Sequence, residues 1–199
     1  MTPDEADAIA RTFEGSLRAA EGKALYHLAR TNDKGFVVEI GSWKGKSTTY
    51  LAAGAQENKH GYTCVNAVDH FHGSPEHQKN GPVFTLPDFK ANISTAGLSE
   101  EVDILVMNSV DASQIFDANE IGLLFIDGDH KYESVRSDLD AWWPKVAPNG
   151  VIVLHDVGPV GGLPGPKRVL IEELTRQPTR VKDITFVDGM SIMKKKDKE

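Results

Sequence analysis

Acidic, amide, hydroxyl and imidazole residues stand at the carboxyl ends of five apolar runs in this chain. The first run, "GFVVEIG", carries Glu39 into a turn bounded by Gly41 and Gly45, with Ser42 inside it and Lys46, Ser47 and Thr48 after it. The second, "YTCVNAVD", ends at Asp69 and His70, and the third, "VDILVMN", leads to Asn108, Ser109 and Val110. The fourth ends at Asp127, with His130 just beyond, and the fifth at His155 and Asp156. Two chemistries compete for the first turn. Its glycines, lysine and serine nearly spell a phosphate cradle, in which backbone N–H groups curl around a phosphate and the lysine reaches the outer oxygens. The gap between the glycines is one residue short for that, and a shorter loop wraps less well. "LLFID" could still supply a magnesium-holding acid, which keeps a nucleotide kinase or hydrolase open. Glu39 points the other way, because a carboxylate just before the glycines repels a triphosphate. It suits a ligand with cationic and hydroxyl groups. Asp69 ends the next strand, where an acid can accept hydrogen bonds from both ribose hydroxyls. Together these residues describe a nucleoside site with no demand for phosphate.

Strands must present these groups and helices must space them. Residues 3 to 31 place Ala6, Ile9, Ala10, Phe13, Leu17, Ala20, Leu25 and Leu28 at roughly helical spacing, with Gly15 and Gly22 as breaks. "GKSTTYLAAGAQ" predicts the helix after the first strand, with Ser47 or Thr48 in its first turn. Further helices are predicted from about Pro87 to Ala96, over "VDASQIFDA", over "YESVRSDLDAWWPKV" and over residues 167 to 177. Residues 70 to 84 and "GPVGGLPGP" read as loops. The end, "VKDITFVDGMSIMKK", reads as two strands joined at Asp188-Gly189. Strand and helix thus alternate five times before a hairpin. Buried runs such as "LLFI" and "VIVL" suit a parallel sheet covered on both faces. In such a sheet ligands sit at the carboxyl ends of the strands, so all five clusters converge on one place. The chain reads as one domain, 1–199, with a helical segment 1–34, a core 35–194 and a charged tail 195–199.

Bulk properties limit the partners. The 199 residues carry a net charge of −7, which argues against a nucleic-acid backbone as main partner. The one local basic run, Lys194 to Lys196, reads as a solvated tail. Cys64 is the only cysteine, so no internal disulfide can form, and its apolar run suggests a buried, inert thiol. No apolar run approaches the length of a membrane span, and the start lacks the features of a signal peptide. A reducing cytoplasm is the expected location. An amphipathic N-terminal segment could pack on a second subunit to give a homo-oligomer.

"VVEIGSWKGKSTTYLA" resembles the first motif of class I S-adenosylmethionine-dependent methyltransferases. "VDHFHGSPEH" and "LLFIDGDHKYESVRSDLDAWWPKVAPNGVIVLHD" resemble a bacterial small-molecule branch, methyltransferase domain family 24. The resemblance implies a Rossmann-like, doubly wound, seven-stranded α/β sheet. It would be mostly parallel, with an antiparallel strand in the C-terminal hairpin and helices on both faces. It also implies S-adenosylmethionine held across Glu39, Gly41, Ser42, Gly45, Ser47, Asp69, His70, Asn108, Ser109, Val110 and Asp127, with the adenine near Ser109 and Val110.

Methyl transfer needs an acceptor in line with the methyl group and a deprotonated nucleophile. For a hydroxyl, a divalent cation can lower the acceptor pKa and hold it in place. The chain is similar to the metal-dependent O-methyltransferases, such as the catechol and macrolide-sugar enzymes, which implies Asp127, His155 and Asp156 as ligands of magnesium, manganese or a similar ion. His155 departs from that pattern, where an acid stands, and a histidine suits magnesium poorly. His130 is the candidate general base, with Asp127 as its catalytic neighbour, because an imidazole titrates near neutrality. His70, His72 and His77 match no structural zinc spacing and read as part of a loop closing over the cofactor. The expected activity is methyl transfer to a small-molecule acceptor at a hydroxyl oxygen. A protein with this fold that only binds a ligand is the further alternative.

Overall fold

Alternation along the strands sets up two helical layers, because successive side chains leave a sheet on opposite faces. The computed structural model describes residues 1–75, 77–159 and 162–197. Its elements are α1 (Pro3–Ala10), α2 (Ala19–Thr31), β1 (Phe36–Ile40), α3 (Lys46–Gln56), β2 (Val65–Asp69), α4 (Leu86–Thr95), β3 (Val102–Val106), α5 (Ser109–Ala112), β4 (Ile121–Ile126), α6 (Tyr132–Trp142), β5 (Val146–Leu154), α7 (Pro164–Thr175), β6 (Val181–Val187) and β7 (Met190–Lys195), with short 3-10 turns between some of them. Val37, Ala67, Leu123, Phe125 and Val153 pack on one face against Ala10, Leu25, Ala29 and Leu51 of α1, α2 and α3. Val38, Ile40, Val68, Leu124, Ile126 and Leu154 pack on the other against Val135, Leu139, Trp142 and Val169 of α6 and α7.

The seven strands lie in the order β3-β2-β1-β4-β5-β7-β6. The first five are parallel, and β7 is antiparallel to both β5 and β6. The chain winds outward from β1 to β3, then crosses back to β4 and winds outward the other way. The order therefore reverses between β1 and β4, where the two carboxyl ends leave a crevice. Among the described residues no helix is long and apolar enough to cross a membrane.

Several boundaries differ from the sequence expectation, each for a local reason. The predicted first helix is two helices, with residues 11 to 18 between them and Gly15 at φ 149°. Gly22 breaks nothing; it lies inside α2, where a Cβ would meet the Tyr50 ring at 2.3 Å. Helix α7 begins at Pro164, earlier than predicted, since proline suits a first turn whose N–H has no partner. Strand β5 begins at Val146, and a register shift opposite Ile121–Leu123 absorbs the extra residues before Gly150. The loop 158–166 includes Val160 and Gly161, which lie outside the described residues, as do Lys198 and Glu199 of the tail.

The basic run is not a solvated tail. Lys194 and Lys195 belong to β7, and Lys195 is buried with its ammonium on the carbonyls of Trp143 and Val146. Cys64 is half-buried and donates to Asp103 across 3.2 Å. Burial, with that carboxylate adding to it, pushes its thiol up to about 11, which makes it unreactive.

Tyr50 cannot swing aside to admit a side chain at position 22, because its hydroxyl donates to the buried Asp7 at 2.7 Å and Arg11 closes the other side of that carboxylate. Gly22→Ala therefore lowers stability by about 2 kcal/mol in urea unfolding, the overpacking cost exceeding the gain in helix propensity. A stabilised variant rejects this packing account.

Candidate active site

The glycine turn is shaped by contacts beneath it. Gly41 has φ 86°, and a Cβ there would come within 2.2 Å of the Asp127 carbonyl, so only glycine lets β1 and β4 end side by side. The N–H groups of Ser42 and Trp43 donate to Asp69 Oδ2 at 3.0 and 2.9 Å, and Phe71 N–H donates to Oδ1 at 2.6 Å. Gly45 donates to the Ser42 carbonyl and opens α3. A phosphate cradle needs such N–H groups aimed at the ligand; here two of them are spent on a carboxylate. Lys46 donates its ammonium to the Gly15 carbonyl at 2.8 Å. The kinase reading loses both of its features.

A cleft of about 830 Å³ opens at the β1/β4 switch point, within the range of small-molecule sites. Gly41, Ser42, Ser47, Asp69, His70, Asn108, Ser109, Val110, Asp127, His130, His155 and Asp156 all reach its wall. Glu39 and Gly45, expected at the ligand, do not. Glu39 leaves β1 on the α3 side, as the alternation of Val37 and Val38 requires, and is wholly buried. Its Oε2 accepts from the Thr48 hydroxyl, while Oε1 has no hydrogen-bond partner. Burial pushes its carboxyl up to about 7 against the Ser47, Thr48 and Ser42 hydroxyls, which favour the charged form, and Asp127 adds to the rise. The Ser42 hydroxyl is likewise buried and forms no well-directed hydrogen bond.

Sequence reasoning missed other parts of the wall. Glu14, Ser16 and Leu17, from the segment between α1 and α2, reach it, as do Ser134, Ser137 and Asp138 of α6. The α6 residues share one helical stripe, a spacing that could have revealed them. Trp142 donates to Ser109 at 2.9 Å and so fixes the start of α5. Burial pushes Asp138 up to about 6; the Ser109 hydroxyl acts against the rise and Asp129 with it. The loop after β2 folds over the turn, with Trp43 stacked on His77 at 4.3 Å between ring centres. His70, His72 and His77 do not gather around a common point: His70 accepts from His72 N–H, and His72 faces the Val83 carbonyl.

The ends of β4 and β5 carry a charge cluster. His130 Nε2 lies 3.0 Å from Asp156 Oδ2. His155 is buried, with Nδ1 at 3.0 Å from Asp127 Oδ1 and 3.5 Å from Asp156 Oδ2, although neither contact has the alignment of a good hydrogen bond. Its Nε2 lies 3.3 Å from Glu21 Oε2, a carboxylate contributed by α2. Burial alone would lower the His155 pKa; Asp127 first, then Asp156 and Glu21, outweigh it and push it up to about 12. Burial also opposes ionisation of Asp156, but His130 and His155 hold its carboxyl well below the usual range. Asp156, Trp43 and Phe71 all take positive φ (58°, 48° and 60°), a costly conformation for non-glycine residues that clusters at functional sites. One ligand atom each from Asp127, His130 and Asp156 would fall within 4.8 Å of the others. His155, expected as a ligand, is not part of that group.

Residues 38–157 match the family described as a methyltransferase domain. Solved structures of similar fold include an O-methyltransferase from Bacillus cereus in complex with SAH, 20% identical, with a TM-score of 0.63 over 98% of this chain and 90% of that one. Another is the O-methyltransferase TomG from Streptomyces achromogenes, involved in tomaymycin synthesis and in complex with SAM, 18% identical, with a TM-score of 0.63 over 98% and 89%. The O-methyltransferase NovP is 17% identical, with a TM-score of 0.69 over 90% and 81%. At these identities the likeness shows the fold.

Proposed function

The chain belongs to the methyltransferase domain family, and on that premise we propose that it moves a methyl group from S-adenosylmethionine to a hydroxyl oxygen of a small-molecule acceptor. The observation that carries this reading is the cleft at the switch point, whose wall brings together Asp69, Asn108, Ser109 and Asp127 from the ends of β2, β3 and β4. Gly41 lets the ligand approach the backbone. Asp69 accepts from the ribose, Asn108, Ser109 and Val110 border the adenine, and Ser42, Ser47, His70 and Asp127 line the remainder. Glu39 and Gly45 act from beneath, by holding the turn and the start of α3. Asp127 gives the cleft a negative charge toward a cationic ligand.

S-adenosylmethionine, when bound, supplies an electrophilic methyl group on a sulfonium. The chain's part is to hold the acceptor oxygen in line and to remove its proton. His130 takes that proton, and Asp156 at Nε2 orients the ring and stabilises the imidazolium formed. Specificity for the acceptor comes from Glu14 to Leu17 between α1 and α2, from the loop after β2 and from Leu163, which line the same cleft. The neighbours' complexes with SAH and SAM support the choice of cofactor over a nucleotide triphosphate, as does the engagement of Lys46 with Gly15.

Isothermal titration with S-adenosylhomocysteine tests this reading. Binding in the micromolar range is expected, and no heat at millimolar ligand sinks the proposal.

A further inference from the structure

We propose that Asp138 of α6 is the residue by which this chain selects an adenine base, its carboxylate accepting a hydrogen bond from the exocyclic amine of the ring. The inference rests on the methyltransferase reading and deepens it, by naming what the cleft reads on the cofactor.

Helix α6 turns Val135, Leu139 and Trp142 into the core. Asp138 shares that stripe, where packing alone would put an apolar side chain. It is only 8% exposed, yet it reaches the cleft wall. A Cβ built on Gly128 would lie 3.7 Å from Asp138 Oδ2, which sets the carboxylate beside the turn that follows β4. The Ser109 hydroxyl, at the start of α5, favours its charged form by hydrogen bonding. Asp138 therefore stands in the notch between the turns after β3 and β4, next to the residues that border the base.

Its hydrogen bonding is incomplete. A carboxylate offers about four acceptor positions. Among the described residues only the Ser109 hydroxyl is placed to donate to it, and that hydroxyl has a single proton to give. Ser109 is itself held in place, accepting from Trp142 Nε1 at 2.9 Å. A carboxylate so deeply buried is costly unless further donors reach it. Asp129 nearby differs, since it already accepts from the His130 N–H and the Ser134 hydroxyl, each at 2.8 Å. Of these two acids Asp138 is the one with acceptor capacity left on the cleft side.

Position and capacity together specify the group that completes it. With the ribose on Asp69, the base extends toward Ser109 and Val110, and so toward Asp138. The donors on an adenine ring are the N–H groups of its amine; its unsubstituted ring nitrogens are acceptors and repel a carboxylate. A base with a carbonyl oxygen in place of the amine would set two acceptors against each other, which is selection by rejection as well as by attraction.

Titration calorimetry of the full chain at about pH 8, where the carboxyl that burial raises to about 6 is ionised, tests the proposal. The ligands are S-adenosylhomocysteine and S-inosylhomocysteine, in which a carbonyl oxygen replaces the amine. The wild type is expected to bind the adenine compound roughly 30-fold more tightly, and a preference under about threefold overturns the proposal. Asp138→Asn can turn its amide N–H toward the carbonyl oxygen, so the preference should fall by roughly tenfold or more. A preference that persists in Asp138→Asn overturns the proposal, even where both ligands weaken, because a merely structural role would weaken both alike. Should that variant fail to fold, the wild type decides with the N6,N6-dimethyl derivative of S-adenosylhomocysteine, which has no amine proton. A loss of roughly tenfold or more supports the proposal, and an affinity within about twofold of the parent overturns it. Failure of the wild type to bind S-adenosylhomocysteine at all condemns the methyltransferase reading, whereas binding without discrimination condemns the role of Asp138 alone.

Discussion

Asp69→Ala lowers the affinity for S-adenosylhomocysteine by roughly 30-fold, the loss of about 2 kcal/mol expected for a hydrogen bond to a charged acceptor. The structure sharpens the sequence expectation. A carboxylate has about four acceptor positions, and the backbone N–H groups of Ser42, Trp43 and Phe71 already use three. One strong position remains for the ribose, and not the two first expected. The same substitution removes the tether of the glycine turn, so Trp43 and the loop stacked on it also loosen. Asp69→Asn keeps one acceptor oxygen and should fall between wild type and alanine. Titration calorimetry checks the series, with a melting curve of each free protein to report damage to the turn. An alanine variant within about twofold of wild-type affinity rejects the assignment of Asp69 to the ligand.

Stability of the ligand-free protein changes with pH in a way that Glu39→Gln removes. Burial raises the folded pKa of Glu39 from 4.5 to about 7, so between these values the folded state holds a proton that the unfolded state has released. Stability from this group is therefore fully present below pH 4.5 and is lost as pH rises toward 7. The contribution is about 3 kcal/mol on the linkage relation, and it saturates above the folded pKa. Asp138, raised from 3.8 to about 6, acts in the same direction over a lower window. Other groups slope the opposite way, including Glu21 and Glu173, whose carboxyls are lowered. The difference between wild type and Glu39→Gln isolates the one residue. Urea unfolding at several pH values should show the variant gaining on the wild type as pH rises from 4.5 to 7. A constant difference across that window rejects a proton on buried Glu39.

Local pattern carried the fold a long way. Alternating buried runs and helical stripes located the strands and most helices, and Asp188-Gly189 marked the hairpin. The convergence of Asp69, Asp127 and Asp156 on one cleft followed from parallel strands alone, since each acid ends a run. Glu39 was misplaced because alternation puts it on the face of Val37 without saying that this face is covered by α3; its partner there, Thr48, lies on that helix. Lys195 was misread because a charged run looks solvated until a carbonyl cage is built around it from Trp143 and Val146.

The sequence by itself determined the alternating strands and helices, the hairpin and the family resemblance, because these depend on short-range periodicity and on motifs read within a few residues; the strand order and its switch point came with the structure. The glycine spacing, one residue short, argued against a triphosphate cradle but left it open until the structure showed the Ser42 and Trp43 N–H groups and Lys46 engaged elsewhere. Only the tertiary structure decided what the charged groups do. The Glu21–His155 pair joins residues far apart in the chain, and the three carboxylates around one imidazole are assembled from α2, β4 and β5. Electrostatics at such a place depends on burial and on distances of a few ångströms. Neither quantity exists until the layers have packed.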